Sequence, residues 1–306
     1  MFIEQGIKSE NNFSKYIVGS IMLILASFVG QIPFVAAIKF DSMFNGRSYP
    51  TSEAGIMQYF ESNVTLILIL ISFVFVILGL LLVVRKLHNQ TLHSITTSRK
   101  KVDWSRIIFS FSIWSLLTIG TTLISFYDNP AQYVINFKPI PFLILVLIGI
   151  ILIPIQTSTE EFIFRGYLMQ GFANLARNKW FPLLMTSIIF GGLHYFNPEV
   201  TKIGPVIMVY YVGTGLFLGI VTLMDEGMEL ALGFHAANNL IGALLITSDW
   251  SAFQTHSIFK DISEPSAGAD IIVPVLIIYP ILLLIFSKKY QWTNWKEKLT
   301  GKIDKI

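Results

Sequence analysis

The stretch "PFLILVLIGIILIPIQTSTEEFIFRGYL", Pro141 to Leu168, decides the fold. Its first part, to Gln156, is almost wholly apolar and supplies most of the roughly 20 residues that a membrane-spanning helix needs. Its second part sets Glu160, Glu161 and Arg165 immediately behind. Ionisable groups are costly at membrane depth unless they are paired or hydrated, so their presence beside such a run is a sign of function.

The rest of the chain has the same character. Of 306 residues, 53% are hydrophobic and only 13% charged, with a mean hydropathy of +0.64. That leaves too few polar side chains to cover a soluble globule of this size. The chain contains no Cys, which excludes disulfides, thiolate metal sites and a cysteine nucleophile. Apolar runs predict about eight spanning segments, at 16–38, 64–84, 107–127, 141–157, 181–196, 204–224, 229–248 and 271–287. They do not alternate as barrel strands would, and lipid permits only helices or closed barrels. The expected fold is therefore all-α, a polytopic membrane helix bundle. The first segment exceeds a signal-peptide h-region and reads as a retained anchor.

Charge sets the expected orientation. Arg85, Lys86, Arg99, Lys100, Lys101 and Arg106 cluster in the 85–106 connection, and Lys288, Lys289, Lys296, Lys298, Lys302 and Lys305 in the tail. The positive-inside rule puts both in the cytoplasm, and with eight spans the N-terminus as well. The opposite loops then hold only Arg47, Lys138, Lys202 and Lys260. A basic loop of this kind belongs beside anionic lipid, and no nucleic-acid partner is expected. No repeat or linker divides the chain. Its parts are expected to be residues 1–140, with helices one to three and the basic 85–106 loop; 141–250, a core of helices four to seven; and 251–306, the last helix and tail.

The chemistry concentrates between about 141 and 248. Glu161 and Arg165 lie four apart and can pair along one helix face, whereas Glu160 points about 100° away and is free for another task. Taken alone, the same residues also read as a helix start just outside the bilayer, with Thr157, Ser158 or Thr159 as its cap. "FGGLH", Phe190 to His194, places an imidazole near the end of the short fifth segment, with Gly191 and Gly192 permitting a close approach. "HAANN", His235 to Asn239, puts His235 and Asn239 one turn apart on a shared face, with Asn238 projecting elsewhere. A carboxylate, two imidazoles and a carboxamide on three helices are the parts needed to activate water and to stabilise an oxyanion during amide hydrolysis.

These motifs, in this order, resemble the Glu-Glu-x-x-x-Arg, Phe-x-x-x-His and His-x-x-x-Asn signatures of the CPBP family (CAAX proteases and bacteriocin-processing enzymes, also called Abi), which includes the type II CAAX prenyl endopeptidases. The resemblance covers about residues 140–250. It implies an intramembrane endopeptidase in which Glu160 is the general base, His194 helps to hold the water or a metal, His235 and Asn239 line the oxyanion site, and Glu161 and Arg165 hold the architecture. The donor set admits a divalent metal such as zinc at Glu160, His194 and His235 as well as a metal-free glutamate. The glutamate mechanism is the expectation, with no cofactor assigned.

The expected partners are membrane lipids and a membrane-associated protein or peptide substrate, and the expected location is a bacterial plasma membrane with both termini cytoplasmic. Other intramembrane protease chemistries lack their parts: there is no HExxH, no GxSxG-like turn and no intramembrane Asp pair. A transporter using the same buried polar groups, or a non-catalytic membrane scaffold, are the rival readings. Aromatics such as Phe162, Phe164, Tyr167, Phe190, Tyr195 and Phe196 could line a peptide channel, though ordinary packing against lipid and helices is the expected role.

One geometric conflict follows from these segments. Glu160 would lie near the cytoplasmic end of its helix and His194 roughly 20 Å deep, at about 1.5 Å per residue. Segment five must begin below the surface or tilt, or segment four must be longer. Arg177, Lys179 and Trp180 favour the first option, since they could sit at the interface and set where segment five begins.

Overall fold

The computed structural model describes residues 1–7 and 11–304, apart from the side chains of residues 53 and 54; Lys305, counted above in the basic tail, lies outside the described residues. All eight predicted segments contain helix, the seventh only as far as Leu245. The principal helices are α1 (Phe13–Phe44), α2 (Ser62–Leu82), α3 (Trp104–Asp128), α4 (Pro139–Glu161), α5 (Met169–Ala176), α6 (Trp180–Leu193), α7 (Met208–Asp225), α8 (Glu229–Leu245) and α9 (Tyr279–Tyr290). Among the described residues six helical rods are long and apolar enough to cross a membrane, and Trp180–Phe196 is a shorter apolar one. The chain is an all-α polytopic bundle.

Its surface and interior are arranged for lipid. Large apolar side chains such as Leu25, Val29 and Ile32 on α1 are exposed outside the cavity, while Gln156, Thr157, Thr159, Glu161, Arg165 and Gln170 are buried. Where the solvent is hydrocarbon, apolar surface is not driven inward, and polar groups find partners inside the protein. α8 sits in the middle, packed against α3 and α4, while α1 packs on α2, α2 on α4, and α6 on α7.

The fourth segment does not end at residue 157. α4 passes through a widened π-helical stretch, Phe162–Leu168, directly into α5, giving one rod over Pro139–Ala176. Thr157, Ser158 and Thr159 therefore do not cap a helix. The Thr157 hydroxyl donates back to the Ile153 carbonyl at 3.1 Å and Thr159 to Ile155 at 2.7 Å, so both satisfy themselves within the helix. The helix is longer than the fourth segment, one of the ways out of the depth conflict: Glu160 stands about 24 Å along the rod from its end at Ala176.

The N-terminal turn Phe2–Gly6, the 88–103 loop, the α7–α8 turn and the tail gather at one end. The Phe2 amide donates to Glu226 at 2.7 Å, Met228 to the Thr96 carbonyl at 2.9 Å, and Ile303 to the Arg177 carbonyl at 2.9 Å. Arg99 pairs with Asp225 at 2.9 Å and with Glu229 at 3.0 Å; Arg106 also pairs with Asp225. The Trp292 indole donates to Asp225 at 3.0 Å, docking the tail. At the opposite end is a small sheet not anticipated from sequence, β1 (Tyr133–Ile135), β2 (Ile246–Thr247) and β3 (Phe259–Asp261), with β3 central, antiparallel to β1 and parallel to β2.

Candidate active site

Glu161 pairs with Arg165 one turn along its helix face, and Glu160 has different neighbours. The Arg165 guanidinium donates to Glu161 Oε1 at 3.0 Å and to the Gly215 carbonyl on α7 at 3.1 Å, and both side chains of this ion pair are fully buried. The Arg165 cation also lies over the Phe190 ring, 4.3 Å from its centroid. A buried charge of this kind persists only where partners surround it. Glu161 Oε1 takes a second bond, from His235 Nδ1 at 2.7 Å. An ionised carboxylate can only accept, so Nδ1 carries the proton, and in the neutral ring Nε2 keeps its lone pair.

His235 Nε2 faces Glu160 Oε2 across 3.6 Å, longer than a hydrogen bond. Glu160 Oε2 is itself shielded and has no hydrogen-bond partner in the structure, whereas Oε1 accepts from Gln156 Nε2 at 2.6 Å. Gln156, one turn before Glu160, also accepts from Asn239 Nδ2 at 3.0 Å through its own Oε1. A single carboxamide thus ties α4 to α8. Asn238, expected to project elsewhere, donates to Asn239 Oδ1 at 3.0 Å and accepts from the Trp114 indole of α3 at 3.1 Å.

His194 caps the end of α6. Its Nδ1 donates to the Phe190 carbonyl at 2.7 Å, and its ring stacks on Tyr211 with centroids 4.6 Å apart. No described hydrogen bond or ion pair joins it to Glu160. Phe190 packs between the two histidines, 4.7 Å from the His194 ring and 6.0 Å from His235. Among the described residues no group of three His, Asp or Glu side chains is placed to hold a metal ion. The donor set therefore does not fit a three-ligand zinc site formed by Glu160, His194 and His235.

Six of these side chains, Gln156, Glu160, His194, His235, Asn238 and Asn239, line one cavity of about 1570 Å³ among mainly apolar residues of α1, α2, α4 and α6, whereas Glu161, Arg165 and Trp114 lie behind its wall. No Lys or Arg is among its described lining residues. Of the aromatics singled out from sequence, Phe164, Phe190 and Phe196 line it, while Phe162 and Tyr167 belong to the packed core. The two glycines of "FGGLH" differ: a Cβ on Gly191 would press on the Val212 backbone, whereas one on Gly192 would meet nothing within 4 Å.

Sequence reasoning did not weigh Gln156 or Trp114. The available signal for Gln156 was a lone amide in an apolar run, four residues before Glu160 and so on the same face. Trp114 carried no signal, because its partner is 124 residues away.

Residues 138–241, which span every one of the three motifs, match the family model described as Type II CAAX prenyl endopeptidase Rce1-like. The chain is 31% identical over 248 residues to the uncharacterized protein YyaK of Bacillus subtilis (strain 168), covering 81% of this chain and 82% of that relative. No solved structure matches it. The chain belongs to the Rce1-like family of type II CAAX prenyl endopeptidases, and at that level is an integral membrane protein of the intramembrane CAAX-type protease class.

Proposed function

We propose that this protein hydrolyses a peptide bond in a membrane-associated protein or peptide by a water molecule that Glu160 activates. The observation that carries this reading is the unpartnered Glu160 Oε2, facing His235 Nε2 at 3.6 Å in the wall of a large, mainly apolar cavity. Oε2 takes a proton from the water as its oxygen attacks the carbonyl carbon. The carbonyl oxygen becomes an oxyanion, toward which Asn239 turns the N–H that is not used on Gln156. His235, steered by Glu161, adds its Nε2–H when the ring is protonated. As the C–N bond breaks, the leaving nitrogen takes the proton from Glu160, and the carboxylate is restored. Glu161 and Arg165 hold the helices around the site. His194 borders the same cavity and helps to position the water or the substrate.

The basic loop and tail share one end with the N-terminal turn, which supports cytoplasmic termini in a bacterial plasma membrane. The test is purification in detergent and mapping of cleavage sites on membrane-protein candidates. Glu160→Gln is expected to abolish cleavage while folding survives. A transporter would need a sealed vesicle, and a scaffold would keep its cellular phenotype in that variant. Complete chelator inhibition reversed by zinc would replace the glutamate mechanism with a metal-dependent one.

A further inference from the structure

Four hydrogen bonds around the site all run in the same direction. Trp114 Nε1 donates to Asn238 Oδ1, Asn238 Nδ2 to Asn239 Oδ1, Asn239 Nδ2 to Gln156 Oε1, and Gln156 Nε2 to Glu160 Oε1, at 3.1, 3.0, 3.0 and 2.6 Å. The chain begins on α3, crosses α8 and ends on α4. We propose that Trp114, Asn238 and Gln156 form a one-way relay that orients Asn239 and Glu160 for hydrolysis, making these three positioning residues. The proposal rests on the reading of Glu160 as the base.

The direction is fixed by the two ends. An indole N–H can only donate, and an ionised carboxylate can only accept. Each carboxamide between them could be turned over if considered alone, but only one assignment satisfies every link. All three amide oxygens face Trp114, and all three amino groups face Glu160. If Asn239 were reversed, two amino groups would meet at Asn238 and two oxygens at Gln156.

The consequence falls on Asn239. With its oxygen committed to Asn238 and one N–H to Gln156, the group left over is the second N–H. An oxyanion needs that donor and would be repelled by the carbonyl oxygen of a reversed amide. The final link, onto a charged acceptor, is the shortest, as charge-assisted bonds are, and bonds in series polarise one another. The adjacent asparagines are used as a pair: about 100° apart on α8, one reaches back to α3 and the other forward to α4.

Trp114 lies in the interior against Phe234, 4.3 Å between rings, behind the cavity wall and not itself among the residues that line it. Trp114→Phe removes the first donor and keeps an aromatic ring. In detergent, with a membrane peptide that the parent cleaves, it is expected to lower kcat by about tenfold with KM little changed, the loss of roughly one hydrogen bond's worth of orientation. Trp114→His, which keeps a ring N–H, is expected to recover part of that loss. In an Asn239→Ala background Trp114→Phe is expected to have no further effect, because the relay is already cut; a packing defect would add instead.

Asn238→Leu breaks the same relay without touching the indole. It is expected to repeat both results, and it serves if Trp114→Phe does not fold. Parental kcat in these variants, or losses that multiply with Asn239→Ala, overturn the relay. If Glu160→Gln retains turnover, the hydrolytic reading falls and the relay with it. If Glu160→Gln is inactive while Trp114→Phe and Asn238→Leu are unimpaired, the relay alone falls.

Discussion

Glu161 on α4 and His235 on α8 are joined by a 2.7 Å hydrogen bond between Oε1 and Nδ1, and the same oxygen accepts from Arg165 at 3.0 Å. One carboxylate therefore neutralises a buried cation and also selects the tautomer of the imidazole that faces Glu160. Its neighbour in sequence gives one oxygen to Gln156 and sets the other 3.6 Å from His235 Nε2, in a side chain that lines the cavity. The two glutamates are chemically identical, and only the elements around them differ.

Removing one member of the buried pair leaves an uncompensated charge. Arg165→Met and Glu161→Gln are each expected to destabilise the fold by about 3 to 5 kcal/mol. The double variant Glu161→Gln/Arg165→Met is expected to lose much less than the sum, since no charge is then stranded. Thermal melting of the purified protein in detergent measures all three, and additive losses would mean that the pair is not coupled.

Glu160→Gln presents the opposite pattern. The amide keeps an oxygen to accept from Gln156 and an NH₂ to meet His235, so the melting temperature is expected to stay within a few degrees of the parent. Turnover is expected to fall by about 10²- to 10⁴-fold, the usual contribution of a general base. Parallel melting and cleavage assays separate this variant from those at Glu161 and Arg165.

The consecutive glycines of α6 make a paired test. A Cβ at Gly191 would lie 2.9 and 3.0 Å from the Val212 backbone nitrogen and Cα, so Gly191→Ala must push α6 from α7 and is expected to cost about 1 to 3 kcal/mol. Gly192 faces open space, and Gly192→Ala is expected to be neutral or to stabilise by about 0.5 to 1 kcal/mol through helix propensity. Melting curves of the two single variants give the comparison.

Glu199, in the short helix Pro198–Ile203 beyond His194, accepts from the Ala252 amide at 2.8 Å through one oxygen, and its other oxygen is buried without a partner. Burial raises its carboxyl above the usual carboxylate range, against the opposing pull of the Ala252 N–H. A carboxyl that binds its proton more tightly when folded destabilises the fold as pH rises past the unfolded value of about 4.3. Glu199→Gln cannot ionise. It is expected to melt about 1 to 3 °C above the parent near neutral pH, with the difference vanishing below about pH 4. A constant difference across that range would show that ionisation of Glu199 is not its cause.

Much of the architecture could be read from the chain because lipid makes the rules local. A run such as Ser62–Leu82 declares itself a helix by length and apolarity alone. The end of the fourth helix was not readable in this way. Thr157, Ser158 and Thr159 look like a cap, yet Thr157 and Thr159 bond back within a helix that continues to Ala176, because Glu161 and Arg165 find their partners on α7 and α8 instead of in water. The three short strands were also invisible, since each contains two or three residues and exists only by pairing with segments far along the chain.

The sequence by itself determined that this protein is a bundle of membrane helices and that Glu160, Glu161, Arg165, His194, His235 and Asn239 are its unusual residues, for the physical reason that charge and imidazole are costly in hydrocarbon and stand out against it. Tertiary structure decided what each of them faces. It set Glu161 against His235, left Glu160 Oε2 free, kept His194 on Tyr211, and passed a hydrogen-bond chain from Trp114 to Glu160. Hydrogen bonds depend on position to within a few tenths of an ångström, and where α3, α4 and α8 lie against one another is fixed by packing along their whole lengths, which no local stretch of sequence records.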